Sequence, residues 1–225
     1  MYRNCFKRGI DFILSLLALI VLSPIMLILT IVGWIVMKGN PFFTQLRPGK
    51  DEKIFKLIKF RTMTNAKDEN GKLLPDEDRL VAYGKFLRST SLDELPELFN
   101  IIIGQMAVVG PRPQLVADMV FMTDKQRERH SVRPGLTGLA QCSGRNNMSW
   151  ERKFDYDLEY ISKITFWGDI LIILKTVGKV FARDGINEEG MATSEDLGDY
   201  LLHKGDIDQE YYDVKHSEAK GLINV

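Results

Sequence analysis

The longest hydrophobic segment of the chain lies close to its N-terminus. From Phe12 to Met37 there are 26 residues without a charged side chain, and the run is interrupted only by Ser15, Ser23, Pro24, Thr30 and Gly33. A cleaved signal peptide has an apolar region of about 7–15 residues followed by a small-x-small cleavage site, and this segment has neither feature. The pattern therefore predicts that the segment lies in a membrane.

The centre and the flanks of this segment bear on whether it crosses the bilayer. A straight helix of this length would reach about 39 Å, enough to span a hydrocarbon core of about 30 Å. Ser23-Pro24 lies near the middle, however, and proline favours a kink or a break. Basic residues, which favour the cytoplasmic side, flank both ends: Arg3, Lys7, Arg8, Lys38, Arg47, Lys50 and Lys53. We expect a re-entrant, helix-break-helix membrane segment over residues 1–40, with a proline-kinked transmembrane helix as the alternative.

The remaining pattern predicts a helix-rich α+β domain over residues 41–197. Residues 54–63 are rich in β-formers and predict a short strand with Lys59 and Arg61 on one face. Helical spacing of apolar residues predicts helices over 78–88, 150–164 and 166–183. The last is amphipathic and fits a helix in the membrane interface as well as it fits an ordinary core helix.

Composition and charge reduce the number of function classes that fit the chain. The 225 residues contain 30 basic and 30 acidic side chains, which argues against nucleic-acid binding by bulk positive charge. Residues 1–50 carry a net charge of +5, whereas acidic residues dominate from residue 184 onward. We expect an acidic C-terminal appendage over 198–225 with limited structure after Glu188.

The cysteines and histidines do not suggest a metal site. Cys5 and Cys142 are far apart in sequence and predict neither a disulfide framework nor a cysteine-based zinc site, so we expect a protein that faces the cytosol. His130, His203 and His216 lack metal-ligand spacing, and a surface position is expected for each.

An acidic pair marks the most informative stretch, residues 88–100. Pro96 must lie in the first turn of a helix, and Ser91 and Glu94 have the spacing of a capping box. Asp93 and Glu94 would then lie at the helix N-terminus, which favours an ionised carboxylate and also a phosphate. The alternative is that both acids only cap the helix.

Basic residues recur beside expected bends of the chain. They are Lys59, Arg88, Arg112, Arg133 and Arg145. An arginine held in a turn beside glycine or proline suits phosphate recognition because its guanidinium fork is oriented in advance. Together with a membrane segment and a carboxylate pair, these residues suggest a diphosphate substrate that meets a lipid substrate.

Four ordered motifs carry a family resemblance. Lys59-Phe-Arg-Thr-Met63, Ser91-Leu-Asp-Glu-Leu-Pro96, Val109-Gly-Pro-Arg-Pro113 and the stretch 133–141 (RPGLTGLAQ) resemble the signature of the bacterial polyprenyl-phosphate phosphoglycosyl transferases of the monotopic superfamily, also called bacterial sugar transferases. The resemblance covers about residues 1–197. The short chain is similar to minimal members such as diacetylbacillosamine-1-phosphate transferase, although its C-terminal tail is longer and Cys142-Ser143 replaces the more usual valine and asparagine.

The resemblance implies an activity at the cytoplasmic face of the bacterial inner membrane. Members of this family transfer a sugar-1-phosphate from a UDP-sugar to undecaprenyl phosphate with Mg²⁺, as the first membrane step of glycoconjugate assembly, and we expect an N-acetylated UDP-sugar here. They use an Asp-Glu pair and a re-entrant helix broken at a Ser-Pro sequence, which Ser23-Pro24 matches.

The resemblance also implies individual roles. Asp93 would be the nucleophile of a ping-pong reaction that releases UMP, and it would also be a Mg²⁺ ligand. Glu94 would ligate the metal or assist proton movement. The phosphate-binding residues would be Arg88, Arg112, Lys59 and Arg145, the last two at the nucleotide end.

Two other interpretations remain open. One is a non-catalytic, membrane-anchored interaction protein of a glycan assembly complex, in which Asp93 and Glu94 serve only as helix caps. The other is an enzyme that transfers the sugar without its phosphate and releases UDP. The sequence indicates neither the sugar nor the oligomeric state.

Overall fold

The computed structural model describes residues 1–144, 148–182 and 195–223. The fold is α+β and rich in helix. Its helices are α1 (Lys7–Val36), α2 (Asp76–Arg79), α3 (Ala82–Ser89), α4 (Glu97–Ile102), α5 (Val116–Met119), α6 (Asp124–Arg127), α7 (Leu139–Ser143), α8 (Trp150–Ser162), α9 (Phe166–Ala182), α10 (Leu197–Lys204) and α11 (Gln209–Ile223). Its strands are β1 (Phe42–Pro48), β2 (Ile54–Phe60), β3 (Ala107–Val109) and β4 (Gly135–Thr137).

The N-terminal helix α1 is long and apolar enough to cross a bilayer by length and composition alone. Pro24 lies inside it, so the expected break at Ser23-Pro24 does not interrupt the helix. Proline lacks the N–H that would bond to the carbonyl of Ile20, but the Ser23 hydroxyl donates to that oxygen at 2.8 Å. The side chain of Ser23 thus replaces the missing backbone donor, as apolar surroundings require.

Helix α1 packs against the rest of the chain along most of its length. Near its start, the Lys7 ammonium lies 2.6 Å from the Asp169 carboxylate of α9. Near its end, Met26 and Leu29 pack in a buried cluster with Phe60 and Leu87. The side that faces away from the domain stays apolar and exposed.

The four strands form two pairs, and basic residues of the expected site lie in them or shortly after them. Strands β1 and β2 form an antiparallel hairpin in which Phe43 faces Lys59. Strand β2 ends at Phe60, so Arg61 follows the strand instead of sharing its face with Lys59, contrary to expectation. Strands β3 and β4 are parallel, and a Cβ on Gly135 would lie 2.1 Å from the Gly110 nitrogen, so only glycine permits this approach.

The helix expected over 78–88 is instead two short helices. Leu80 adopts an extended conformation and forms a bridge with Met63, which separates α2 from α3. Pairing with a neighbouring segment thus overrides the helical spacing of the apolar residues. In α3, a Cβ on Gly84 would meet the Thr62 carbonyl oxygen at 1.9 Å, so this glycine lets the helix lie directly on the backbone.

The C-terminal residues are structured, contrary to expectation. Helices α10 and α11 pack their apolar residues, including Leu197 and Ala219, against Phe121, Trp150 and Phe154. The Leu197 N–H also donates to the buried Asp118 carboxylate at 2.9 Å. The acidic composition reflects the outer face of these helices, while their inner face completes a hydrophobic core.

The expected helices over 150–164 and 166–183 are present as α8 and α9. Helix α9 buries Ile172 but exposes Trp167, Leu171, Leu174 and Val177.

The histidines differ in burial. His203 is exposed, as expected, and His216 is half-buried between aromatic rings. His130 is 7% exposed, so the expected surface position is wrong for this residue. Burial lowers the pKa of His130 to about 4 and keeps it neutral.

Candidate active site

The acidic pair lies in a 3-10 turn, Leu92–Glu94, directly before α4. Ser91 has a left-handed backbone (φ 54°) and its side chain makes no cap hydrogen bond, so the expected capping box does not form. Pro96 occupies the N-cap position of α4, where its missing N–H costs nothing.

Asn100 ties α4 to strand β2. Its amide nitrogen donates to the Lys56 carbonyl at 2.8 Å, and its amide oxygen accepts from the Ile58 N–H at 3.1 Å. Asn100 is fully buried. Because these bonds fix the helix against the strand, they set the position of the acidic turn relative to Lys59, one residue beyond Ile58.

Two cations converge on Glu94. The Lys59 ammonium lies 2.7 Å from Glu94 Oε1, and Arg112 Nη2 lies 2.8 Å from the same oxygen. Burial alone would raise the pKa of Glu94, but attraction to Arg112 and Lys59 outweighs burial and lowers the pKa to about 2. The same attraction raises the pKa of Arg112. Glu94 is therefore an ionised carboxylate at neutral pH.

Asp93 differs from its neighbour in having no direct partner. Within the described residues, no hydrogen bond or ion pair engages its carboxylate, which is half-buried. Burial and the charge of Glu94 raise the pKa of Asp93 to about 6, while the charges of Lys59, Arg112 and Arg88 oppose the rise. At neutral pH the side chain is mostly ionised and poorly solvated, which suits a nucleophile.

A third carboxyl group belongs to the cluster. Glu97 Oε1 lies 3.1 Å from the Lys59 ammonium, and its side chain is only 4% exposed. The pKa of Glu97 is raised to about 7. Burial is the main cause and repulsion from Glu94 adds to it, while the attraction of Lys59 opposes the rise. Glu97 thus shares Lys59 with Glu94.

The turn that carries Arg112 is held from several sides. The Gly135 N–H donates to the Pro111 carbonyl at 2.9 Å, and Arg129 Nη2 donates to the Arg112 carbonyl at 2.7 Å. Arg129 is itself buried in an ion pair with Asp157 at 2.7 Å. These contacts fix the backbone while the Arg112 side chain stays 44% exposed, so it can contact both Glu94 and a substrate.

The structure brings most of the expected site residues together. Lys59, Glu94 and Arg112 are in direct contact, and Asp93 is in the same turn as Glu94. Arg88 donates from Nε to the Thr62 hydroxyl at 3.2 Å, and its charge acts on Asp93. Arg145 lies outside the described residues, so its expected role stays a prediction.

Sequence reasoning missed several residues that shape the site. Glu97 follows Asp93 by four residues and Glu94 by three, so helical spacing could have placed it beside them. Asn100 and Arg129 gave no comparable signal, because their partners are distant in sequence. Their roles depend on contacts that only the folded chain provides.

The Asp93 and Glu94 carboxylates are the type of ligand that Mg²⁺ binds in proteins. Mg²⁺ commonly binds one or two protein carboxylates together with substrate phosphates and water. Asp93 is half-buried and has no cation within ion-pair distance among the described residues, whereas Glu94 is held by Lys59 and Arg112. In the described part of the chain, no three acidic, histidine or cysteine side chains converge as a complete metal cage.

Comparison with known proteins decides the family. A model of the bacterial sugar transferase family matches residues 2–183. The chain belongs to this family. The match includes every residue of the Lys59, Asp93, Glu94 and Arg112 cluster and ends before α10 and α11. The family is one of transferases, so the cluster lies in an enzyme.

Individual relatives support the assignment. An uncharacterized sugar transferase of Bacillus subtilis is 48% identical over 158 residues, which cover 70% of this chain and 78% of that protein. The UDP-glucose:undecaprenyl-phosphate glucose-1-phosphate transferase of Klebsiella pneumoniae is 42% identical over 78% of this chain. The undecaprenyl-phosphate galactose phosphotransferase of Salmonella typhimurium is 35% identical over 80% of it. The matched region spans 40% and 41% of the lengths of these last two relatives.

Proposed function

We propose that the protein transfers a sugar-1-phosphate from a UDP-sugar to undecaprenyl phosphate and releases UMP. The names of the Klebsiella and Salmonella relatives support this class of reaction. The observation that carries the mechanism is the contrast within the acidic pair. Glu94 is held by two cations, whereas the half-buried Asp93 carboxylate has no hydrogen-bond or ion-pair partner among the described residues. Asp93 is therefore the nucleophile.

In the first half-reaction, an Asp93 carboxylate oxygen attacks the β-phosphorus of the UDP-sugar. A phosphorus–oxygen bond forms on Asp93, and the bond from the β-phosphorus to the bridging oxygen breaks. UMP leaves with that electron pair, and the sugar-phosphate stays on the enzyme as an acyl phosphate ester. Arg112 and Arg88 bind phosphate oxygens, and Lys59 holds Glu94 beside the nucleophile.

In the second half-reaction, a phosphate oxygen of undecaprenyl phosphate attacks the phosphorus bound to Asp93. The bond to Asp93 breaks, the carboxylate is regenerated and the lipid diphosphate-linked sugar leaves. Dividing the displacement into two steps means that the two substrates need not bind together, so one set of cationic side chains serves both.

Asp93 is also the proposed Mg²⁺ ligand. Glu94 would serve as a second carboxylate ligand only if Lys59 or Arg112 moved away from it. When bound, Mg²⁺ neutralises the diphosphate and stabilises the negative charge on departing UMP.

The packing of α1 supports a topology in which both ends of this continuous helix lie on the same side of the bilayer. From Lys7 to Leu29 the helix is about 33 Å long, comparable to the hydrocarbon core. Over that length it contacts the same domain, through Asp169 at one end and the Tyr83 hydroxyl at the other, which donates to the Leu29 carbonyl at 2.8 Å. A helix that crossed the bilayer would draw this polar domain into the lipid. We propose that both ends of α1 face the cytoplasm.

The exposed apolar side of α9 extends the proposed membrane surface. Trp167, Leu171 and Leu174 are 58–72% exposed and follow helical spacing. Such a face suits a helix lying in the bilayer interface. Together with α1, this face supports the proposal that the protein lies on the cytoplasmic face of the bacterial inner membrane, at the depth of the undecaprenyl phosphate head group. An N-acetylated UDP-sugar is part of the proposal, and it rests on the family resemblance alone.

The decisive experiment is a single-turnover assay without the lipid acceptor. Purified enzyme with UDP-sugar and Mg²⁺ should release about one UMP per active site. The peptide containing Asp93 should carry a phosphosugar adduct in mass spectra. Asp93→Asn should abolish both, whereas Asp155→Asn, at an exposed position of α8, should release UMP normally.

Other outcomes identify the competing functions. UMP release that requires the lipid would exclude the covalent intermediate, and release of UDP would mean that the sugar moves without its phosphate. No nucleotide release with any UDP-sugar would favour the non-catalytic interaction protein, although the enzyme family speaks against that interpretation.

A further inference from the structure

Two arginines meet at the C-terminal end of α4, away from the acidic turn. Arg8 Nη1 and Nη2 donate to the carbonyls of Ile101 and Ile102 at 2.6 and 2.7 Å. Arg133 Nε donates to the Gly104 carbonyl at 2.7 Å. Because all three acceptors lie within four consecutive residues, the two guanidinium groups are neighbours although they are 125 positions apart in sequence.

The positive charge of this pair is not balanced by ion pairs. Within the described residues, neither Arg8 nor Arg133 has a carboxylate within 4 Å, and the nearby Asp11 is engaged by Lys7 at 3.6 Å and by the Val108 N–H at 3.2 Å. The end of a helix supplies only about half a negative charge. Two full positive charges therefore remain under-neutralised, and each guanidinium has donors beyond those used for the carbonyls.

The surroundings place this pair at the edge of the apolar surface. Arg8 lies in the first turn of α1, four residues before the uncharged run begins at Phe12, and its guanidinium carbon is 5.9 Å from the centre of the Phe12 ring. Ile103 directly follows α4 and Phe99 lies about one turn before it, and these side chains are 64% and 42% exposed. Cations bordered by exposed apolar side chains are typical of the level at which lipid head groups lie.

We propose that Arg8 and Arg133 form a second phosphate site, which binds the phosphate of a membrane lipid. The guanidinium forks match phosphate geometry, while Ile103, Phe99 and Phe12 contact the lipid chain. The site is separate from the catalytic cluster, because Glu97 begins α4 and the arginines contact its other end, about 9 Å further along. The inference rests on the proposed membrane placement but not on the proposed chemistry.

Two lipids offer the required chemistry. One is the head-group phosphate of an ordinary phospholipid, which would anchor the domain at a fixed depth. The other is the phosphate of the polyprenyl acceptor, which would dock here before reaching Asp93. Since α4 joins this site to the acidic turn, a phospholipid would stay bound at one end of the helix during the reaction, whereas the acceptor would leave the arginines to reach Asp93 at the other end.

The first test uses the unmodified protein in detergent. Short-chain phosphatidylglycerol or a short polyprenyl phosphate should protect Arg8 and Arg133 from an arginine-specific dicarbonyl reagent, as measured by peptide mass spectrometry. Dioctanoylglycerol, which has acyl chains but no phosphate, should not protect them. Equal modification with every lipid would overturn the proposal without requiring a variant.

The second test compares lipid affinities of variants. Arg8→Gln and Arg133→Gln should weaken binding of the phosphate-bearing lipid by roughly ten- to a hundredfold, whereas Lys125→Gln, an exposed charge on α6, should not. Weakened phospholipid binding alone identifies a head-group site, and a raised KM for polyprenyl phosphate identifies an acceptor site. Unchanged affinity for both lipids would mean that the arginines only cap α4.

The two proposals can fail independently. Asp93→Asn should leave the protection of Arg8 and Arg133 intact, because that residue does not contact this site. Conversely, UMP release without lipid should persist in the Arg8 and Arg133 variants if they fold, since no lipid takes part in that half-reaction.

Discussion

Lys59 and Arg112 contact the same carboxylate oxygen, Glu94 Oε1, at 2.7 and 2.8 Å. Lys59 comes from β2 and Arg112 from the turn after β3, so this shared oxygen joins two parts of the fold. Asp93, one residue earlier, lies near these two cations, but neither of them binds its carboxylate. An acidic pair thus becomes two groups with different pKa values and different contacts.

The first prediction concerns the two arginines of the site. Arg112→Ala and Arg88→Ala should each lower turnover by roughly ten- to a hundredfold, because a lost charged hydrogen bond is worth about 1.5–3 kcal/mol. UMP release and thermal melting, measured together, separate lost chemistry from lost folding. The control is Arg152→Ala, an exposed arginine of α8 whose loss should leave turnover near normal. Normal turnover in Arg112→Ala or Arg88→Ala would remove that residue from the site.

The second prediction concerns the effect of pH on stability through Glu97. Its pKa is raised from 4.5 to about 7, so the folded state binds more protons than the unfolded state between these values. This stabilising contribution is complete below about pH 4.5 and is lost as the pH rises through about 7. Glu97→Gln keeps a neutral side chain at every pH. The difference between its melting temperature and that of the unmodified protein should therefore shift in favour of the variant from about pH 5 to pH 8.

Metal-free buffer and a matched control isolate this effect. Glu210→Gln, at an exposed position of α11, should show no such pH-dependent difference. If the melting curves of Glu97→Gln and the unmodified protein stay parallel across this range, the raised pKa is wrong.

The third prediction concerns membrane topology. Cys5 is exposed before α1, and Asn40→Cys in a Cys5→Ser background reports on the other end, while buried Cys142 should react slowly. Neither Cys5 nor the introduced cysteine should react with a membrane-impermeant thiol reagent in intact cells, and both should react after permeabilisation. Labelling of a single end in intact cells would establish a helix that crosses the bilayer.

The fourth prediction concerns the approach of α3 to the segment before the site. Gly84→Ala should force the Thr62 backbone to move, since the new Cβ would lie 1.9 Å from its carbonyl oxygen. Such overpacking costs about 1–3 kcal/mol and should lower both the melting temperature and, because Thr62 bonds Arg88, the turnover. Gly178→Ala is the control, because its Cβ would meet nothing within 4 Å. Equal melting temperatures for the two variants would contradict this account.

Local signals in the sequence were sufficient to predict a membrane segment and to select the candidate site residues. An uncharged run of 26 residues needs no tertiary partner to be recognised, because its length alone exceeds what a signal peptide uses. The spacing of Asp93, Glu94 and Pro96 likewise placed the acids before a helix. The ordered motifs around them indicated the family before any contact was known.

The tertiary structure decided which of these residues touch and how α1 and the C-terminal residues are placed. Ser23 bonding to Ile20 keeps α1 continuous through Pro24, and the apolar inner face of α10 and α11 orders a segment whose composition suggested limited structure. The difference between Asp93 and Glu94 also arises there, because the pKa of a carboxyl group depends on burial and on cations contributed by distant parts of the chain. Neighbouring acids look equivalent in sequence, and only folding brings Lys59 and Arg112 to one of them.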